Sequence, residues 1–137
     1  LGTKRSVIVD GNGIVLGMDF GRANDSDNRL LMRTLDDRIN GINYQIENNN
    51  IYLDKAYDAR WIRETLEERG YNHHIPRRGE NYGRSRAHRW IVEVSHAWLN
   101  NYKRIRIRTE KKANNYKNVV YGALGFINML KISRFRN

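Results

Sequence analysis

The chain has 137 residues, a length typical of one domain, and carries 25 Lys and Arg against 15 Asp and Glu, a formal net charge of +10. The charge is uneven, because residues 1–70 hold 10 basic and 12 acidic side chains whereas 71–137 hold 15 basic and three acidic ones. A basic half of this kind is typical of proteins that bind a polyanion, most often nucleic acid. The sequence has no cysteine, which excludes disulfides and cysteine zinc sites and is consistent with a reducing cytosol.

The sequence predicts neither a secretory signal nor a membrane span. Its N-terminus lacks a long apolar run, and its most apolar stretch, 119–132, is only about 14 residues long and contains Asn128 and Lys131. A membrane-spanning helix needs about 20 apolar residues. We therefore expect a packed helix at this position, no membrane partner and a cytoplasmic protein.

The first predicted element is a β-hairpin over residues 5–20. Two β-branched runs flank residues 10–13, whose sequence Asp-Gly-Asn-Gly tolerates positive φ and indicates a tight turn. An acidic and polar cluster at 24–27 then predicts the start of a helix, and apolar residues follow at helical spacing as far as Ile39. The polar, Asn-rich stretch 40–50 predicts a loop.

The middle of the chain predicts a strand, a helix and a second extended segment. A short apolar run over 51–54 ends in an aspartate, and we expect this carboxylate at the edge of a sheet. The helix that follows spans about 59–69 and ends at Gly70, a residue typical of the C-terminal cap. An extended piece at 72–76 leads into a basic, glycine-containing loop at 77–86.

A helix over 87–101 is predicted in the basic half. Arg89, Glu93 and Asn100 project from roughly one of its faces. The predicted apolar stripe of this helix consists of Trp90, Ile91, Val94, Ala97 and Trp98.

Residues 102–137 are predicted to form a basic helical tail whose last helix spans about 115–132. The alternation of Ile105 and Ile107 with arginines is also compatible with a strand. The density of Lys and Arg over 103–117, beside several aromatic residues, favours contact with phosphates over a merely solvated helix face. The order of these elements predicts a mixed α/β domain.

Asp54 and Glu93 are the candidate metal ligands. Because there is no cysteine and there are only four histidines, a carboxylate site for a hard ion is favoured over zinc. Asp54 ends an apolar strand, and Glu93 is isolated in the basic half. The alternative for Glu93 is an i,i+4 ion pair with Arg89 on a solvated helix, and composition alone favours that alternative.

Other titratable residues have simpler explanations. The adjacent His73 and His74 would point to opposite faces of an extended segment, which favours a solvated pair over metal ligation. Asp58 could assist a metal site, but a role as the N-cap of the following helix is favoured. Asp10 is explained by the turn of the hairpin.

Taken together, several short motifs resemble insertion-sequence DDE transposases. The matching stretches cover nearly the whole chain: Gly-Thr-Lys-Arg-Ser at 2–6 running into Val-Ile-Val-Asp-Gly at 7–11, Gly-Arg-Ala-Asn-Asp-Ser at 21–26, Leu-Asp-Lys-Ala-Tyr-Asp at 53–58, His-Ile-Pro-Arg-Arg at 74–78, and Arg-Trp-Ile-Val-Glu at 89–93 with Ala-Trp-Leu-Asn at 97–100 and Arg104. The resemblance implies a ribonuclease-H-like α/β fold of the retroviral-integrase type, with a mixed sheet flanked by helices. Residues 1–137 would then form a partial catalytic domain that lacks its first strand.

The resemblance also implies roles for individual residues. Asp54 would be the second catalytic aspartate, Glu93 the catalytic glutamate, and Arg89 the arginine of the family's Tyr-Arg-Glu-Lys signature. The chain departs from that signature at two positions, since Arg86 stands in place of the tyrosine and Asn100 in place of the lysine. Both are expected to contact DNA. Further DNA contacts are expected from the basic side chains of the tail: Lys103, Arg104, Arg106, Arg108, Lys111 and Lys112.

The first catalytic aspartate of the family is expected before residue 1, and Asp10 and Asp19 are not expected to replace it because both lie on the hairpin. The implied mechanism is phosphoryl transfer that uses two Mg²⁺ (or Mn²⁺) ions held by three carboxylates. The implied partner is double-stranded DNA, both the ends of the element and its target. The resemblance also implies a nucleoid-associated protein, for which a homodimer is one possible assembly. With two of three carboxylates, the chain alone is expected to bind DNA but to cleave it poorly.

Two alternatives stay open. A different ribonuclease-H-like nuclease would share the fold, and only formation of a strand-transfer product separates it from a transposase. A non-catalytic, basic nucleic-acid-binding module would explain the charge but not the placement of Asp54 and Glu93.

Overall fold

The computed structural model describes residues 2–37, 49–77, 79 and 85–135, with the backbone alone for 85–88. Four strands and five helices are present in this part of the chain. In chain order they are β1 (Thr3–Val9), β2 (Val15–Arg22), α1 (Asp27–Asp36), β3 (Asn50–Tyr52), α2 (Arg60–Glu68), β4 (Asn72–His74), α3 (Ser85–Asn100), α4 (Lys103–Arg106) and α5 (Ala113–Phe135), and a 3-10 turn (Lys55–Tyr57) lies between β3 and α2.

The hairpin forms where the sequence predicts it and extends further at both ends. Strands β1 and β2 are antiparallel, with Val7 opposite Met18. The Asp10 carboxylate accepts the backbone N–H groups of Asn12 at 2.9 Å and Ile14 at 2.8 Å, which fixes the turn. Gly13 has φ +80° there, a conformation that strongly favours glycine.

Helix α1 begins after its N-cap, Ser26, and buries Leu30, Leu31 and Leu35. This agrees with the predicted helix start at 24–27. The predicted apolar position Ile39 and most of the predicted loop at 40–50 lie outside the described residues.

Strands β3 and β4 pair in parallel, with Tyr52 opposite His74. Helix α2 lies in the connection between the two strands. Helix α2 ends in a Schellman motif, in which the Gly70 N–H donates to the Glu67 carbonyl and the Tyr71 N–H to the Leu66 carbonyl, both at 2.9 Å. Gly70 adopts φ +78°, as the predicted cap requires. This parallel pair therefore positions the residues that follow β3.

The stripe that helix α3 buries overlaps the predicted one only in part: Ile91 is buried as predicted and Trp98 packs against the core. Its buried positions are Ile91, Ser95 and Leu99, spaced by four residues, whereas the predicted core residue Trp90 is 59% exposed. The prediction missed the rest of this face because a serine lies at its centre. That serine is compatible with burial because its hydroxyl donates to the Ile91 carbonyl at 3.0 Å.

The basic tail is helical, so the strand alternative for 104–108 does not occur. Helix α4 is one turn long and buries Ile105. Helix α5 then packs along the hairpin through a buried face formed by Tyr116, Val120, Leu124 and Ile127.

Two separate hydrophobic clusters make up the core. The first joins β2 to α3, α4 and α5, and the second joins α1 and α2 to Ile75. Strand β1 contributes to both because its side chains alternate: Val7 and Val9 pack against the first cluster and Ile8 against the second. The hairpin therefore holds the two halves of the structure together.

The mixed α/β class is as predicted, but one continuous mixed sheet is not present among the described residues. Strands β1 and β2 form one two-stranded sheet, and β3 and β4 form another. The ribonuclease-H-like arrangement therefore stays a prediction.

Candidate functional site

Asp54 lies just beyond the end of β3, before the 3-10 turn. The Leu53 N–H donates to the His74 carbonyl at 3.2 Å, which continues the pairing with β4 up to this point. The Tyr57 N–H donates to the Asp54 carbonyl at 3.0 Å and closes the turn. The Asp54 side chain makes no capping hydrogen bond and is 40% exposed, so its carboxylate is accessible from solvent.

Arg89 and Glu93 lie one turn apart on α3. The Arg89 Nε donates to Glu93 Oε1 at 3.1 Å, which is the i,i+4 pair that composition alone favours. Both side chains are more than half exposed. An exposed pair of this kind contributes at most about 1 kcal/mol to stability, so the fold does not depend on it.

Arg89 also reaches Asp54. Its Nη1 lies 3.7 Å from Asp54 Oδ2 while its Nε holds Glu93, so one guanidinium spans two carboxylates from different parts of the chain. A simple i,i+4 pair on a solvated helix does not require this second contact. The structure thus brings together the three residues predicted to form the catalytic site, and their chemical role stays a prediction.

Tyr57 lies beside this site. Burial, followed by the negative charges of Asp27 and Asp54, raises the pKa of its hydroxyl above the ordinary value. Both carboxylates therefore lie near one phenol at the start of the segment that leads into α2. Nothing in the sequence pattern indicates this proximity, because Asp27 and Tyr57 are thirty positions apart.

A second constellation was missed by the sequence analysis and centres on Arg5. The Arg5 Nη2 donates to Asn100 Oδ1 at 2.6 Å, whereas its Nη1 is buried and has no hydrogen-bond partner among the described residues. Burial, followed by the positive charge of Arg5, lowers the pKa of His96. Asn100, predicted to contact DNA, is thus half-buried and holds an arginine of β1. Arg5 and His96 border a cavity of about 280 Å³, whose other lining residues are Lys4, Ser6, Val7, Asp27, Leu30, Tyr57 and Val92.

The predicted DNA-contacting residues differ in how much they are engaged within the chain. Arg104 forms an ion pair with Glu110, and Arg108 donates to the Thr3 hydroxyl and lies over the Tyr116 ring. The side chain of Arg86 is outside the described part. Four side chains are exposed and form no ion pair with any described residue: Lys103, Arg106, Lys111 and Lys112.

The histidines and Asp58 have internal partners. His73 Nε2 lies 2.8 Å from Glu67 Oε1, and His74 Nε2 lies 2.9 Å from Asn50 Oδ1. The predicted solvated pair is confirmed for His74 only, because the His73 side chain is 14% exposed. The predicted capping role of Asp58 is wrong, because Ala59 is the N-cap of α2 and Asp58 is ion-paired with Arg63 at 2.7 Å.

Asp19 is explained by packing as well. It is 7% exposed and pairs with Arg33 at 2.6 Å and with Lys117 at 3.4 Å. A buried carboxylate needs such partners because water cannot solvate it. Asp19 therefore joins the hairpin to α1 and α5.

Comparisons with known proteins extend this description. In the part of the chain that the structure describes, no helix is both long and apolar enough to cross a membrane. No solved structure matches the chain. The putative transposase for insertion sequence element IS402 of Burkholderia cepacia is 32% identical over 118 residues, which are 82% of this chain and 56% of that protein. The chain thus spans about half the length of this curated relative.

The transposase DDE domain family matches residues 1–125. Together with the curated relative, this match confirms the resemblance that the sequence motifs carry. The chain belongs to the transposase DDE domain family.

Proposed function

We propose that this chain forms part of the catalytic domain of an insertion-sequence transposase, which cleaves DNA strands and joins them to a target by phosphoryl transfer. Family membership supports the reaction class. The observation that carries the proposal is the contact of Arg89 with both Asp54 and Glu93. Two carboxylates and an arginine converge on an accessible surface.

The two carboxylates fit a magnesium ion. Carboxylate oxygens are the donors that Mg²⁺ prefers, and it is often bound by one or two carboxylates with water and substrate phosphates completing its coordination. Asp54 is 40% exposed and Glu93 is 65% exposed, so a hydrated ion can reach both. When bound, such ions supply activation of the attacking oxygen and stabilisation of the leaving oxygen in an in-line displacement.

A two-ion site needs a further ligand. No group of three potential metal-ligating side chains is present among the residues that the structure describes. We propose that a carboxylate outside the described residues completes the site. On this proposal, the 137-residue chain alone binds DNA and cleaves it poorly.

Arg89 has two roles in this proposal. Without a metal ion, its guanidinium neutralises two carboxylates that would otherwise repel each other. If a bound metal ion neutralised the carboxylates, the same planar fork would be free to bind the scissile phosphate, a group that arginine binds through paired hydrogen bonds. Arg89 would therefore neutralise the carboxylates in the metal-free chain and bind the substrate phosphate when they are neutralised otherwise.

The exposed cations of the tail supply the remaining contacts to DNA. Lys103 and Arg106 lie on α4, and Lys111 and Lys112 lie between α4 and α5, all without an ion-pair partner among the described residues. Such side chains neutralise backbone phosphates on either side of the reacting one and carry no sequence information. Arg104 and Arg108 contribute less in this state because their guanidinium groups are already engaged.

The experiment uses the chain together with any residues that precede it in its reading frame, and a DNA duplex that carries the ends of its element. We expect Mg²⁺-dependent nicking at the ends and a joined product with target DNA. Asp54→Asn and Glu93→Gln should each abolish both reactions while leaving DNA binding in place. Nicking without a joined product would indicate another ribonuclease-H-like nuclease, and full activity of either variant would overturn the proposal.

A further inference from the structure

A surface cavity of about 690 Å³ lies between the first turns of α1 and α2. Its volume is in the range of sites that bind small organic groups, about 300–1,000 Å³. The lining residues are Ser26, Asn28, Arg29, Met32, Arg33 and Trp61.

Trp61 supplies an aromatic surface that the core does not use. Its neighbour Ile62 is fully buried in the second hydrophobic cluster, whereas the Trp61 side chain is 44% exposed. Met32 packs against the same cluster and lines the cavity beside the indole. One face of the cavity is thus flat, apolar and accessible, which suits a planar aromatic ring.

The two charged side chains that line the cavity, Arg29 and Arg33, are both arginines. The Arg33 guanidinium is fixed by Asp19 at 2.6 Å and by the Phe20 carbonyl at 2.9 Å. Arg29 is exposed and forms no ion pair with any described residue. None of the described residues that line the cavity is acidic. An aromatic surface beside a free arginine is the combination with which proteins hold single-stranded nucleic acid.

The cavity is linked to the proposed reaction site through neighbouring residues of α1 and of the segment before α2. Asp27 lies between two lining residues, Ser26 and Asn28, and the charges of Asp27 and Asp54 both act on Tyr57. Trp61 lies in the first turn of α2, four residues after Tyr57, which ends the 3-10 turn.

We propose that this cavity binds an unpaired nucleobase of the DNA, with the base stacked on Trp61 and the adjacent phosphate paired with Arg29. The inference rests on the proposed function, because it takes DNA as the substrate. A base within a duplex is covered by its neighbours, whereas a base at an end or a break can leave the stack. The cavity would therefore favour DNA with an unpaired end over a continuous duplex.

The test measures binding of a fluorescent oligothymidylate to the 137-residue chain by anisotropy. Stacking of one base on one aromatic ring changes affinity by about 5- to 150-fold. We expect Trp61→Ala to weaken binding within that range and Trp61→Phe to restore part of it. Arg29→Gln should weaken binding and lower the slope of log affinity against log salt by about 0.7.

The matched control is Phe126→Ala, because Phe126 is an aromatic residue of similar exposure (49%) on α5. This variant should bind within about twofold of the unmodified chain. Equal affinities of the Trp61→Ala and Phe126→Ala variants would overturn the inference.

The metal-site variant Asp54→Asn separates this inference from the proposed function. It should lose cleavage in the enzyme assay and keep oligothymidylate binding. Binding that depends on Trp61 without any cleavage would support the cavity and count against the function. Cleavage that depends on Asp54, with no effect of Trp61→Ala on oligothymidylate binding, would support the proposed function and count against the proposed base-binding cavity.

Discussion

The guanidinium of Arg89 lies 3.7 Å from the carboxylate of Asp54, although the two residues are thirty-five positions apart in the chain. Helix α3 supplies the arginine, and the end of the parallel pair β3–β4 supplies the aspartate. Glu93 completes the arrangement at 3.1 Å from the same guanidinium. A cation thus stands between two carboxylates at the place where the proposed chemistry needs a metal ion.

Replacing Arg89 should change metal and DNA affinity in opposite directions. A positive charge a few ångström from both ligands opposes the binding of a divalent cation. We expect Arg89→Gln to raise Mn²⁺ affinity by about 3- to 30-fold and to weaken DNA binding. Isothermal titration of the chain with Mn²⁺ checks the first effect, with Arg60→Gln as the control because Arg60 pairs with Glu64 on a different helix. A lower Mn²⁺ affinity would show instead that Arg89 is needed to order the ligands.

The free cations of the tail should dominate the salt dependence of DNA binding. Each phosphate contact contributes about −0.9 to the slope of log affinity against log salt for a duplex. The double variant Lys111→Gln/Lys112→Gln should therefore reduce the magnitude of the slope by about 1.8. Anisotropy measurements at several salt concentrations give the slope, and an unchanged slope would place these two lysines outside the DNA interface.

Replacing Asn100 should lower the free energy of unfolding more than replacing the neighbouring Asn101. Its amide oxygen is the one described partner of the Arg5 guanidinium, whose other terminal nitrogen is already buried without a partner. Removing a partner from a buried donor costs about 1–3 kcal/mol. We expect Asn100→Ala to lower the free energy of unfolding by that amount in urea denaturation. Asn101→Ala is the control, since Asn101 is exposed, and similar losses for both variants would contradict the structural role.

His96 should make stability depend on pH. Burial, with a smaller effect of Arg5, lowers the pKa of His96 below its ordinary value of 6.5. Below about pH 6.5, His96 is therefore protonated to a greater extent in the unfolded chain than in the folded chain. The free energy of unfolding consequently falls as pH drops through that value. Above it, this contribution is fully present.

Urea unfolding between about pH 8 and about pH 5 isolates the effect of His96 when the chain is compared with His96→Gln. The variant should lose less stability below about pH 6.5 than the unmodified chain. Parallel curves for the two proteins would show that His96 does not contribute.

The sequence predicts best what short-range chemistry determines. In the Asp-Gly-Asn-Gly turn, the Asp10 carboxylate accepts hydrogen bonds from the backbone N–H groups two and four residues later, so the hairpin can be predicted locally. Gly70 ends α2 for an equally local reason, its φ of +78°. The Arg89–Glu93 pair follows from helical spacing alone.

Contacts between distant segments could not be predicted in the same way. The Arg5–Asn100 hydrogen bond joins residues ninety-five positions apart, and neither side chain has a local pattern that indicates the other. Ser95 is buried at the centre of an apolar face because it bonds within its own helix, whereas the more apolar Trp90 is exposed. The proximity of Asp54 and Glu93 was expected only through the family resemblance, because spacing along one helix says nothing about a strand elsewhere.

The most direct test of the central claim, that Asp54 and Glu93 together bind a divalent cation, is paramagnetic broadening of the chain's amide resonances by Mn²⁺. We predict that substoichiometric Mn²⁺ broadens the amides of residues 54 and 93 together, and that Asp54→Asn and Glu93→Gln each remove the broadening at both positions. Broadening at only one of these positions, or its persistence in either variant, would contradict the account.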